Sequence, residues 1–344
     1  MKSSLQLPEV RLAGPLNRLP AEARARLRPS PHPDWISPML ATLTHRRFSD
    51  PNWLFELKFD GERCLAFRNG SSVRLFSRNQ KRLNNTYPEI ADAIAAQPLD
   101  NFVVDGEIVA FDGDVTSFAR LQRRMQNTDP VAARMTGVEV FYYVFDVPYL
   151  AGYDTTAVAL RHRKLVLERA LIFDDPLRFT THRDAEGEAA YHEACARGWE
   201  GVIAKRADSA YVQHRSTDWL KFKCVNRQEF VIGGYTEPHG SRVGFGALLV
   251  GYYEDGNLRY AGKVGTGYDT RTLIELGKQL RALETADPPF ADRVREKGAH
   301  WVRPELVAEV GFTEWTNDGK LRHPRFLGLR DDKPARSVVR EREI

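Results

Sequence analysis

Apolar and polar residues alternate with a period of two in some stretches of this chain and recur with a helical period in others. From Trp53 to Phe59, the apolar Phe55, Leu57 and Phe59 alternate with charged residues, which predicts a strand. On it Glu56, Lys58 and Asp60 share the face opposite the three apolar side chains. Further strands are predicted over 64–69, 72–77, 102–111, 138–147 and 201–204, and helices over 88–96, 118–126, 159–170 and 185–197. Pro88 suits the first turn of its helix, where a missing N–H costs nothing. Asn69-Gly70 joins two strands as a hairpin, so the pairing should be antiparallel and the domain α+β rather than doubly wound.

A second β-rich region begins near Asn226, with strands over 229–235, 247–253, 258–264 and 306–312. Leu273, Leu276, Leu280 and Leu283 fall on one face of the single helix that interrupts them. Short strands plus one helix in this space suggest a small barrel of oligonucleotide-binding (OB) type. Residues 1–37 are rich in Pro and Arg without sustained periodicity and read as a linker or loosely attached arm, order beginning near Pro38. The expected division is therefore 1–37, 38–225 and 226–344.

Composition narrows the class. With 344 residues, 42% hydrophobic and 28% charged, the chain suits two soluble domains with real cores. No run of 18 apolar residues and no secretory signal is visible, so a cytosolic, non-membrane protein is expected. Cys64, Cys195 and Cys224 form no Cys-x-x-Cys pair, which predicts neither a structural disulfide nor a zinc site. The net charge is only +4, but basic clusters at 24–28, 120–124, 161–164 and 322–330 keep a polyanionic partner in play.

The candidate chemistry centres on Lys58 in Lys58-Phe59-Asp60-Gly61-Glu62-Arg63. A Lys-x-Asp-Gly string arises by chance in roughly one chain of this length in twenty, so by itself it decides nothing. A free lysine is almost wholly protonated near neutral pH and needs burial or cationic neighbours to act as a nucleophile. Asp105 and Glu107 sit inside an apolar strand, and Glu200-Gly201 precedes Val202-Ile203-Ala204-Lys205. Such carboxylates are either ion pairs or ligands of a hard cation such as Mg²⁺. Lys221 and Lys223 share one strand face, either as a solvated surface or as a phosphate clamp whose charge would disfavour protonation of Lys58.

Taken together and in this order, these strings resemble the covalent nucleotidyltransferases, specifically the ATP-dependent DNA ligases, from about Pro38 to Arg336. The resemblance implies a nucleotidyltransferase domain with antiparallel sheets followed by the OB-type barrel. It implies that Lys58 takes AMP from ATP as a phosphoramidate, and that Glu56 reads the adenine amino group. Arg63 would contact the nucleotide and Arg78 a phosphate, Glu107 would lie near ribose and metal, and Phe145 would stack on adenine. Glu200 would be a metal ligand, and Lys221 and Lys223 would hold the α-phosphate. Arg330, Asp332 and Lys333, in a C-terminal Arg-x-Asp-Lys motif, would swing over the site during self-adenylation. The metal implied is Mg²⁺, with Mn²⁺ as a substitute.

The surroundings of Lys58 and the string Leu321-Arg322-His323-Pro324-Arg325-Phe326 look most like the ligase module of bacterial end-joining ligases. With 57 residues before Lys58 and no zinc spacing, the chain does not resemble the NAD-dependent ligases. A monomer acting on nicked duplex or DNA ends is expected. A Ku-type end-binding partner is implied by the resemblance alone. Two rival readings remain: an RNA-capping-type guanylyltransferase, which would use GTP, and a non-catalytic DNA-binding scaffold.

Overall fold

Three main sheets organise the chain, whose computed structural model describes residues 14–125, 127–224, 226–240 and 242–341. The first has seven strands, and its spine is Phe141–Leu150, Asn101–Val109, Glu62–Asn69 and Ser72–Ser77, all antiparallel. The second has five strands, ordered Arg183–Asp184, Trp53–Lys58, Gly201–Arg206, Arg215–Lys223 and Leu40–Leu43. One face of the first sheet packs on the helices Pro88–Ala95 and Leu160–Ala170 through Ile90, Ile94, Val166 and Leu167. The second sheet packs one face on the helix Gly187–Ala196. Their other faces meet around Leu65, Phe67, Phe145 and Trp219 and leave a polar cleft beside that contact.

The third sheet is built on Asn226–Thr236, which pairs with Val307–Phe312 over its first half and with Leu248–Glu254 over its second. A register shift between Ile232 and Gly234 bends it, and Ala299–Val302 pairs with its end. One long bent strand thus serves both sides of a small barrel. The helix Thr270–Ala282 covers it with Leu273, Leu276 and Leu280, and Asp269 caps that helix by accepting from Thr272 N–H at 2.7 Å. The fold is α+β, a unit of two packed, largely antiparallel sheets followed by an OB-type barrel.

Three expectations need correction. The described part of the Pro/Arg-rich segment is not a loose arm: Leu16 is fully buried, Leu19 and Ala23 nearly so, and Arg28–Pro29 pairs with Tyr153–Asp154. Its apolar residues recur at helical intervals, but Pro15 and Pro20 cut the pattern into turns too short to read; residues 1–13 lie outside the described residues. Cys195, near the end of Gly187–Ala196, forms a disulfide with Cys224, just past Lys223. Their separation of 29 residues carries no signature, and only the packing of that helix on the second sheet brings them together. Finally, part of the basic clusters faces inward. Arg163 is fully buried against Asp146 at 2.7 Å, Lys164 against Glu56 and Arg124 against Glu89, each at 2.5 Å.

Candidate active site

Three neighbouring strands of the five-stranded sheet assemble the site. Their register places Lys58, Gly201 and Lys223 in one row and Glu56, Ile203 and Lys221 in the next. Lys205 and Trp219 follow in a third row. Residues two apart share a face, so all of these line the cleft, while Phe55, Val202 and Phe222 point into the core beneath. Gly201, with φ +148°, lies between the two lysine-bearing strands; a Cβ there would sit 2.0 Å from the Phe222 carbonyl oxygen. The Trp53–Lys58 strand ends at the nucleophile candidate. Gly61 then passes so close to Ile108 that a Cβ would lie 2.3 Å from its carbonyl oxygen. The chain crosses there into the first sheet as Glu62–Asn69.

Lys58 Nζ is 2.5 Å from Glu200 Oε2. Burial alone would lower the lysine pKa, but Glu200, with Asp60 and Glu107 behind it, outweighs burial and holds the ammonium above its ordinary value. Lys58 and Lys223 in turn overcome burial at Glu200 and keep its carboxyl below the ordinary range. The sequence-based expectation that Lys221 and Lys223 would favour a neutral Lys58 is thus reversed, because the charge in contact with Lys58 is a carboxylate. Lys221 and Lys223 instead donate to the two oxygens of Glu341, at 2.5 and 2.8 Å. Burial brings the Lys221 ammonium down to about 8 in spite of Glu341, with Lys223 adding to the fall.

At the other end of the cleft, Glu56 lies between Lys164 and Lys205, 2.5 Å from each. Burial pushes its carboxyl up, and the two ammonium groups more than offset that. The Lys205 ammonium sits 4.0 Å from the Phe145 ring centroid and 4.2 Å from that of Trp219. Its pKa falls to about 8, mainly through burial. Arg63 makes a bidentate pair with Asp105 at 2.5 and 2.6 Å, and its guanidinium lies 4.6 Å from the Phe145 ring. Of the two acids in that strand, Asp105 is therefore an internal ion pair, also accepting from Tyr211 Oη at 2.6 Å. Glu107 faces the cleft, and burial carries its carboxyl up to about 7 against the pull of Arg63, Lys58 and Arg330.

The barrel closes the cleft from above. Arg330 is paired with Asp332 at 2.9 Å and with Glu309 at 3.3 Å, and its guanidinium lies 4.0 Å from the Phe118 ring. Lys333 pairs with Glu229 at 3.0 Å, and Asn79 donates to the Asp332 carbonyl. Arg227 reaches Asp60 at 2.9 Å. Glu56, Lys58, Arg63, Arg78, Glu107, Phe145, Lys221, Arg330, Asp332 and Lys333 line one cavity of about 210 Å³. Glu200 and Lys223 line an adjoining one of about 130 Å³ with Asp60, Glu107 and Glu309. The structure therefore gathers every candidate site residue around Lys58.

Lys164, Asp146, Tyr211, Arg227 and Glu341 were not named as site residues from the sequence, although Lys164 lies in the basic cluster 161–164. Lys164 had a usable signal, a charge on the apolar side of its helix beside Val166 and Leu167. Glu341 had none. Among the described residues no three His, Cys, Asp or Glu side chains form a ready metal cluster. Glu107 and Glu200 nevertheless fit Mg²⁺, which takes one or two carboxylates and completes its shell with water and phosphate oxygens. No helix among the described residues is long and apolar enough to cross a membrane.

Residues 38–223 match the family model of the ATP dependent DNA ligase domain, and residues 241–333 that of the ATP dependent DNA ligase C terminal region. The multifunctional non-homologous end joining protein LigD of Pseudomonas aeruginosa is 40% identical over 322 residues, 91% of this chain and 37% of that protein. The LigD protein of Mycobacterium tuberculosis H37Rv is 39% identical over 318 residues, 90% of this chain and 40% of that protein. The chain thus spans about two fifths of the length of these relatives. The solved structure of mycobacterial DNA ligase D complexed with ATP and MES superposes with a TM-score of 0.63 at 36% identity, covering 89% of this chain and 98% of that one. The chain belongs to the ATP-dependent DNA ligases, of the type found as the ligase module of bacterial end-joining proteins.

Proposed function

We propose that this chain seals 3′-hydroxyl/5′-phosphate breaks in DNA at the expense of ATP. The observation that carries this reading is the row Lys58–Gly201–Lys223, with Glu200 paired to Lys58. Lys58 Nζ, once deprotonated, attacks the α-phosphorus of ATP; a P–N bond forms and pyrophosphate leaves. The AMP then passes to the 5′-phosphate of a broken strand, and the 3′-hydroxyl displaces it. Lys221 and Lys223 hold the α-phosphate, Phe145 and Glu56 hold adenine, and Arg63 and Arg78 steady the nucleotide. Strand register fixes Lys58, Lys221 and Lys223 relative to one another, so attacker and transferring phosphate can be aligned once the phosphate has reached the two lysines. Glu107 and Glu200 would hold Mg²⁺, which would neutralise charge on the triphosphate.

A second unit that brings Arg330, Asp332 and Lys333 to the mouth of the cavity supports the lid reading of this segment. The substrate is duplex DNA with nicks or ends; the relatives' names favour a role in end joining, and a Ku-type partner is proposed from the family resemblance alone. We further propose a monomer working in the cytoplasm.

Incubation with radiolabelled ATP should yield a covalent adduct that Lys58→Ala abolishes, together with nick sealing. An adduct formed with GTP and not ATP would make the guanylyltransferase reading correct instead. Sealing retained by Lys58→Ala would show that the nucleophile is another residue.

A further inference from the structure

Glu341 belongs to a segment that crosses the barrel and brings this side chain to the cleft of the other unit. The segment is fastened to the barrel at each step. Val338 is fully buried, and its carbonyl accepts from Tyr253 N at 2.8 Å. Gln228 donates to the Val339 carbonyl at 3.1 Å and accepts from Glu341 N at 3.1 Å. The Arg340 guanidinium lies 4.2 Å from the Trp315 ring. These anchors all belong to residues 226–341, whereas the lysines that Glu341 grips belong to the nucleotidyltransferase unit.

The carboxylate places one oxygen on each ammonium, at 2.5 Å from Lys221 and 2.8 Å from Lys223. Two anionic oxygens bridging two parallel lysines match what the non-bridging oxygens of a phosphate would do there. Lys221 and Lys223 are largely buried, and the Glu341 side chain is only 20% exposed, so the contact is more than a solvated surface pair. A phosphate bridging the two lysines would meet the Glu341 carboxylate on the same two ammonium groups and compete with it for them.

We propose that Glu341 is an in-chain competitor for the α-phosphate subsite and thereby sets the affinity for the nucleotide. The inference rests on the reading of Lys221 and Lys223 as the α-phosphate lysines. Since the barrel carries Glu341, the same contact ties the two units together until a triphosphate replaces it. The competition is one of charge: a carboxylate holds the lysines and an amide of the same shape does not.

The test is the concentration dependence of Lys58 self-adenylation on ATP. In Glu341→Gln and Glu341→Ala the KM for ATP should fall about tenfold, a difference of about 1.4 kcal/mol, with the change on KM rather than on the maximal rate. Glu341→Asp, which keeps the charge, should stay nearer the parent. An unchanged or raised KM in Glu341→Gln, or a loss confined to the maximal rate, overturns the proposal. Lys221→Ala and Lys223→Ala measured alongside should raise the KM. If they leave it unchanged, the clamp reading fails first and the competition fails with it. If they raise it while Glu341→Gln does not lower it, the clamp stands and only the competition is refuted.

Discussion

Glu56 is 2% exposed and its neighbour Leu57 37%. The usual sorting is inverted because the charged face of this strand looks into the cleft, where partners wait, and the leucine lies near the open strand end. Glu56 is tolerable inside only because Lys164 and Lys205 each approach to 2.5 Å; unpaired, such a carboxylate would take up a proton. Glu62 illustrates that alternative. It accepts from Tyr87 Oη at 2.6 Å, its other oxygen has no partner, and burial carries its carboxyl up to about 7. With an unfolded value near 4.5, the folded state holds a proton between these values that the unfolded chain has lost. Stability therefore falls as pH rises through that window, by at most about 3 kcal/mol, and stays low above it. Glu62→Gln should accordingly raise the melting temperature at pH 8 and leave it nearly unchanged at pH 4.5. Thermal melts at the two pH values decide it, and an equal shift at both would exclude titration of Glu62 as the cause.

At the scale of elements, the decisive feature is a register. Strands 53–58, 201–206 and 215–223 were legible in part from alternation and from apolar runs, and so was the sharing of one face by Lys221 and Lys223. That Lys58 would stand level with Lys223 was not, since pairing between strands more than 140 residues apart leaves no local mark. Gly201 makes the alignment possible, because its φ of +148° and the nearby Phe222 carbonyl exclude a side chain. Gly201→Ala should cost at least about 2–3 kcal/mol, and Lys58 adenylation should drop further than the stability loss explains. Denaturant unfolding paired with adduct formation checks this. A variant with wild-type stability would mean that the backbone there relaxes freely.

Across the whole molecule, two units meet over one cavity, and ion pairs cross between them: Arg227 with Asp60, and Glu341 with Lys221 and Lys223. Arg330 and Lys333 belong to the second unit yet line the cavity that holds Lys58. In the lid reading they serve the step in which pyrophosphate departs. Arg330→Ala and Lys333→Ala should then lower Lys58 self-adenylation by tenfold or more, about 1.4 kcal/mol or above, while sealing of a pre-adenylated nick remains close to wild type. Single-turnover assays on the two substrates separate the steps. An equal loss in both would assign these residues to the architecture of the closed form instead.

The local strings, from Lys58-Phe59-Asp60-Gly61 to Arg330-Asp331-Asp332-Lys333, were enough by themselves to point to the family, because its motifs are particular side chains at short spacings. The period-two and helical patterns determined the α+β class for the same reason: they are properties of neighbours. What only the tertiary structure decided are the long-range partners. It turned Lys58 into one half of an ion pair with Glu200, sealed Asp105 against Arg63, and packed residues 14–37 onto the first sheet. It also joined Cys195 to Cys224 and delivered Glu341 to Lys221 and Lys223. Each depends on which surfaces meet when sheets and helices pack, a choice made by burial and pairing across the whole molecule.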